Sequence, residues 1–145
     1  MPLRKLALII GNDNYNGSHS GLNHSVNNAT DLSDLLNKIG FDVTLHTDPN
    51  TQMMKLIRNF AKAIEDGDLV LFYFSGYGYQ VNDKNYLIPI YDMIIQNERD
   101  MEEFGIDVEQ MFTLLTKRNP SYATIVILDC CRPYKLRNAS TSNGE

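Results

Sequence analysis

The sequence predicts an α/β fold, a mostly parallel sheet with helices on both faces. Three observations predict it. Apolar runs at KLALII (5–10), LVLFYF (69–74) and ATIVIL (123–128) show little polar alternation, as strands buried on both faces do. Between them lie stretches whose apolar residues recur at helical spacing. Strands and helices alternate along the chain, which is the order that builds parallel sheets.

Lys5 to Ile10 is the first strand, closed by Gly11. Val26, Ala29, Leu32, Leu35, Leu36 and Ile39 share one helical face, and Gly40 stops the helix. Phe41, Val43 and Leu45 alternate with polar residues, the pattern of a half-buried edge strand. Pro49-Asn50-Thr51 opens a second helix, with Met53, Ile57, Phe60, Ala61 and Ile64 as its apolar stripe and Gly67 at its end. Leu69 to Phe74 is a buried strand, and 85–90 (NYLIPI) a short extended segment. Asp107 caps a third helix, with Gln110 as its capping-box partner and Met111, Phe112, Leu114 and Leu115 following. Asn119-Pro120 ends that helix, and Ala123 to Leu128 is the last strand. In such sheets, ligands bind beyond the carboxyl ends of the strands. Gly76-Tyr77-Gly78 follows the third strand there, and Asp129-Cys130-Cys131-Arg132 follows the fourth.

The 145 residues suit one domain. Eighteen acidic against 13 basic residues give a net charge of -5, and no basic cluster exists, which argues against nucleic-acid binding. The longest apolar runs are strand-sized, too short to span a membrane. The amino terminus, MPLRKLALIIGNDNY, lacks the small-residue cleavage site of a secretory signal and reads as a strand. Cys130 and Cys131 are adjacent, so no disulfide framework is expected and a reducing cytoplasm is the expected location. Asn138-Ala139-Ser140 matches a glycosylation pattern but has no secretory context.

Five segments carry a resemblance: LALIIGNDNY (6–15), GLNHSVNNATDLSDLLNKIGFDV (21–43), FYFSGYGYQ (72–80), NYLIPI (85–90) and ILDCCR (127–132). Together they resemble the caspase-like cysteine peptidases, peptidase family C14, and within it the paracaspase and metacaspase branches. The likeness covers nearly the whole chain in the family's order and spacing. It implies a caspase-like three-layer sandwich, with 1–132 as the large-subunit domain and 133–145 as a polar tail or linker. It implies peptide-bond hydrolysis by a Cys–His dyad, with no organic cofactor and no metal. The family's small-subunit part is not represented before the sequence stops.

By that resemblance the nucleophile falls on Cys131, in Leu128-Asp129-Cys130-Cys131, and the general base falls on Tyr77. The oxyanion hole falls on the backbone N–H groups of Gly78 and Cys131. An acidic pocket for arginine or lysine falls on Asp129, and its second acid on Asn28 of Asn27-Asn28-Ala29. Two positions depart from the pattern: the base and one pocket acid. A cysteine peptidase needs a thiolate and an acid for the leaving amine. Histidine supplies both roles near neutral pH. Tyrosine ionises only near pH ~10 and has no cationic form. Losing a dyad member costs on the order of several decades in rate, by analogy with triads. Asparagine keeps the shape of aspartate without its charge.

Plain structural readings stand beside these. Tyr77 reads as a hydrogen-bonding surface residue of a loop. Cys130 is expected to point away from Cys131 and to be buried. Asp129 reads as a strand-end residue paired with Arg132, and Cys131 as an ordinary thiol. His19 and His46 read as solvated loop residues, and His24, in the loop before the first helix, as within conceivable reach of the site, but none of the three is expected to replace the base. Tyr73, Phe74, Tyr79 and Tyr86 read as packing residues. The functional expectation is a catalytically impaired pseudo-peptidase with a regulatory or scaffolding role. The alternative is an active cysteine endopeptidase cleaving after arginine or lysine with Cys131 as nucleophile. Expected partners are a peptide or protein substrate, a caspase-like relative, a small-subunit chain or a second copy, with neither nucleic acid nor membrane.

Overall fold

The apolar runs become neighbouring strands of one sheet. The computed structural model describes residues 3–17, 21–120 and 122–136. Strand β1 (Lys5–Gly11) lies between β2 (Asp42–Thr47) and β3 (Leu69–Val81), and β3 also pairs with β6 (Thr124–Pro133), all in parallel. β4 (Lys84–Leu87) and β5 (Ile106–Asp107) extend the sheet in antiparallel fashion. The order is β2-β1-β3-β4-β5, with β6 on the other side of β3, so the sheet is mixed. β2 is an edge, as its alternating pattern predicts.

Helix α1 (Ser25–Lys38) covers one face, burying Ala29 and Leu36 against Ala7, Ile9, Leu71 and Tyr73. Helices α2 (Met53–Ala63) and α4 (Val108–Lys117) cover the other face. There Ile57, Phe60, Met111 and Leu115 meet Leu8, Ile10, Phe72 and Phe74. The three layers follow from period-two strands that present alternate residues to opposite helices. This is the caspase-like sandwich expected. Asp107 caps α4 as predicted, accepting from the N–H groups of Glu109 and Gln110.

Several features differ from expectation. β3 does not stop at Phe74 but continues for 13 residues through the glycines. Its far end turns back on β4 through Asn82 and Asp83, both left-handed at φ 51° and 63°. Asn and Asp tolerate that region, and two such residues fit the turn that matches strand twist. Helix α3 (Glu98–Phe104) was hidden because Met101 is its one buried residue in a charged segment; Asn97 caps it. His46 lies in β2, not in a loop, and partial burial lowers its pKa. His19 and Asn138 lie outside the described residues. Packing runs on past 132: Tyr134 and Leu136 are buried in a third cluster at the carboxyl end of the sheet. Among the described residues no helix is long and apolar enough to cross a membrane.

Candidate functional site

The parallel β3–β6 pairing brings the predicted site residues to one end of two neighbouring strands. Ser75 faces Asp129 and Gly76 faces Cys130, but Tyr77 faces Arg132. The register slips by one, and Cys131 is the residue skipped. A bulge therefore falls at the residue expected to be the nucleophile, and bulges are places where strands commonly re-aim a functional residue.

Tyr77 is no loop residue. It sits inside β3, 4% exposed. Its ring is edge-on to Tyr15 at 4.8 Å and to Tyr134 at 5.7 Å between centroids. Such aromatic geometry is favourable beyond simple burial. The Tyr15 hydroxyl accepts from the Tyr77 N–H at 2.9 Å and donates to the Ile88 carbonyl at 3.0 Å. Burial pushes the Tyr15 pKa up, so it stays a neutral phenol. The Tyr77 carbonyl accepts from Ile88 N and the Gly78 carbonyl from Tyr134 N. Tyr134 donates its hydroxyl to Asp92 Oδ2 at 2.9 Å, and Asp92 Oδ1 accepts from Gly17 N at 2.7 Å. Tyr77 is thus the centre of a cluster joining three chain segments.

The flanking glycines have a different cause from display of the residue between them. A Cβ on Gly76 would lie 2.6 Å from the Tyr15 hydroxyl and 2.7 Å from Phe74. On Gly78 it would lie 2.7 Å from Cys130 Sγ. Both glycines permit close approach in a packed strand end. Cys130 is exposed, contrary to expectation, because among the described residues β6 pairs only with β3. With Gly78, Leu87, Leu128 and Pro133 it lines a mostly apolar groove of about 330 Å³.

The two predicted pocket residues come together. Asn28 Nδ2 lies 3.5 Å from Asp129 Oδ2, although they are 101 positions apart in the chain. The Tyr73 hydroxyl donates to the same oxygen at 3.0 Å. Asn28 reaches this point because Asp13 holds the start of α1: its carboxylate accepts from Ser25 N and Val26 N at 2.9 and 3.1 Å. Asp48 in turn accepts from Asp13 N and Asn14 N. His24, exposed at the helix start, makes no side-chain cap bond. The residues that sequence reasoning missed are Tyr15, Tyr73, Tyr134 and Asp92. Only the hydroxyl at Tyr73 inside an otherwise hydrocarbon strand was a usable signal. Chemically, the carboxyl end combines a carboxylate that accepts from Tyr73 and Asn28, a backbone bulge, and a buried phenol at the position expected for the base. Among the described residues no group of three or more His, Cys, Asp or Glu is placed to hold a metal ion.

A three-layer sandwich with strand-end cysteine and aspartate defines a caspase-type domain. The family model for the caspase domain of peptidase C14 matches residues 4–145, and the chain belongs to that family. It is similar to the human mucosa-associated lymphoid tissue lymphoma translocation protein 1, 27% identical over 141 residues, covering 88% of this chain and 17% of the relative. In fold it is similar to protein GSU0716 from Geobacter sulfurreducens, with a TM-score of 0.68 and 21% identity over 88% of this chain. The chain spans 50% of that protein's length, so it corresponds to part of each of these two relatives.

Proposed function

We propose that this chain is a caspase-like domain of peptidase ancestry whose catalysis is impaired, and that it acts by binding, as a regulator or scaffold. One observation carries the reading: the ring of Tyr77, the residue on which the family's base falls by resemblance, is packed between Tyr15 and Tyr134. A phenol cannot form a cation to offset a thiolate, and a buried one has no room to shuttle protons to a leaving amine. The exposed side of β6 supports a binding role. Ile125 and Ile127 are 41% and 40% exposed on a strand paired only with β3 among the described residues. An open apolar edge of this kind suits a further strand, from a small-subunit chain, a caspase-like relative or a second copy. A reducing cytoplasm suits the exposed Cys130 thiol.

A second reading, an endopeptidase cutting after arginine or lysine with Cys131 as nucleophile, draws on Asp129 held by Tyr73 and Asn28. The rate of Cys131 alkylation against pH distinguishes the two. The parent should alkylate slowly near neutral pH and leave arginine-containing peptides uncut. Tyr77→His should raise the neutral-pH rate on the order of tenfold, by stabilising the thiolate. Cys131-dependent cleavage of such peptides by the parent would establish the second reading instead.

A further inference from the structure

Position 73 lies in a strand where every other side chain from Leu69 to Phe74 is hydrocarbon. Its ring is 7% exposed and packs with Ile9, Ala29, Leu36 and Leu71 under α1. A phenylalanine would fill the same space. What tyrosine adds is an oxygen at the outer end of the ring, and that oxygen donates to Asp129 Oδ2 at 3.0 Å.

The placement follows from the register. Tyr73 faces Ile127 on β6, so Asp129 stands two residues further on, on the same face. A diagonal neighbour at that spacing is within reach of a long aromatic side chain. The second donor to this carboxylate, Asn28 Nδ2, is at 3.5 Å and on the exposed side. That distance is the outer limit of a hydrogen bond, whereas 3.0 Å is well inside it. The tyrosine is also the more rigid partner, since its two side-chain torsions are fixed by core packing. Of these two donors, Tyr73 is therefore the one that fixes the carboxylate.

We infer that Tyr73 is a positioning residue, which holds the Asp129 carboxylate preoriented for a cationic side chain of a bound peptide. The inference rests on the reading of Asp129 as the anchor for a basic residue. Asp129 is partly exposed at a strand end, where an unrestrained carboxylate would sample several rotamers. A donor fixed in the core removes that freedom before the ligand arrives, so less of the binding energy is spent on ordering it.

The experiment is a titration of the protein with argininamide, and with norleucinamide, whose side chain is uncharged, as the control, followed by NMR shifts of the strand-end amides. Tyr73→Phe should weaken argininamide binding about three- to tenfold and leave the norleucinamide response unchanged. In an Asp129→Asn background, where the anchor is already lost, Tyr73→Phe should have no further effect. A parent-like affinity in Tyr73→Phe, alongside a loss in Asp129→Asn, would overturn the positioning role and leave the pocket standing. Equal losses for both ligands in Tyr73→Phe would reduce the residue to packing. Argininamide binding unaffected by Asp129→Asn, or absent from the parent, would overturn the pocket reading and the positioning role with it. Should Tyr73→Phe not fold, the Tyr73 hydroxyl proton of the parent serves instead. Its signal should be protected from exchange and should be lost in Asp129→Asn; an unchanged signal would overturn the inference.

Discussion

The two ends of the central strands are built from different materials. At the amino end, charge and amide groups close on one another. Arg4 grips Asp68 with two hydrogen bonds, Nε to Oδ1 at 3.0 Å and Nη2 to Oδ2 at 2.8 Å, and Glu65 N donates to the same carboxylate. The Arg4 guanidinium holds the Asp68 carboxyl below its usual range. Asn119 accepts from Gly67 N and donates to the carbonyls of Asp68 and Ala123. At the carboxyl end, three tyrosine rings are packed beside the carboxylate contacts of Asp13, Asp48 and Asp92, a bulge interrupts the ladder, and Asp129 and Cys130 reach the surface. The difference separates two regions of one sheet. The amino end fastens turns to strands, while the carboxyl end carries the candidate site residues, where open α/β sheets generally bind their ligands.

The largest effect should come from crowding the aromatic end. Gly76→Ala places a methyl group against Tyr15 and Phe74, both buried, and should cost about 3 kcal/mol. Urea unfolding measures it; a loss below about 1 kcal/mol would mean that the aromatic end yields easily and is no tighter than a surface loop. At the opposite end, Asn119→Ala leaves the Gly67 N–H and the Asp68 carbonyl without this partner and should cost about 2 kcal/mol. A neutral result in the same assay would show that water replaces the amide there. The smallest effect concerns pH. Because the folded-state pKa of Asp68 is lowered, its contribution is present above the ordinary carboxylate range and is lost as pH falls through the folded value. The stability gap between the parent and Asp68→Asn should therefore be flat near neutrality and narrow below about pH 4. Arg4 is half-exposed, so this gap should be smaller than the Asn119 effect and should shrink in salt. A gap that widens in acid would rule out Asp68 as the titrating group.

Much of the layering was legible in the sequence because it rests on periodicity. The runs at 5–10 and 123–128 had only one reading, and the stripe from Met53 named its own buried face; the stripe from Val26 did so only in part, since Ala29 and Leu36 are buried but Leu35 and Ile39 are exposed. The second half of β3 was illegible for a physical reason. Ser75 to Gln80 looks like a loop because its glycines and polar groups are there for close approach and hairpin pairing. Helix α3 was illegible because one methionine anchors it. At the site, the juxtaposition of Asn28 with Asp129 was foreseen, since the family resemblance puts both positions in one pocket even though Asn28 departs from its acid. The burial of Tyr77 was not, because its two ring partners come from positions 15 and 134, which no local pattern connects. Cys130 was misjudged for a related reason: alternation along a strand gives a direction, and what lies in that direction depends on the neighbouring strand.

The one-residue slip between Gly76 and Tyr77 also divides β6 into two half-strands of opposite phase. Before the slip, odd-numbered residues of β6 stand opposite odd-numbered residues of β3; after it, Arg132 stands opposite Tyr77 and Pro133 opposite Gly78. The chain length between Asp129 and Tyr134 is thus a counted quantity. Removing Cys131 would let the ladder run without interruption, with Cys130 still opposite Gly76 and Arg132 still opposite Tyr77, so the residues beyond would keep their partners and their sides. What would go is the surplus residue itself, and with it the local bend that a bulge puts into a strand. Substitution at 131 changes chemistry alone, whereas deletion there removes the one position that the ladder leaves unpaired.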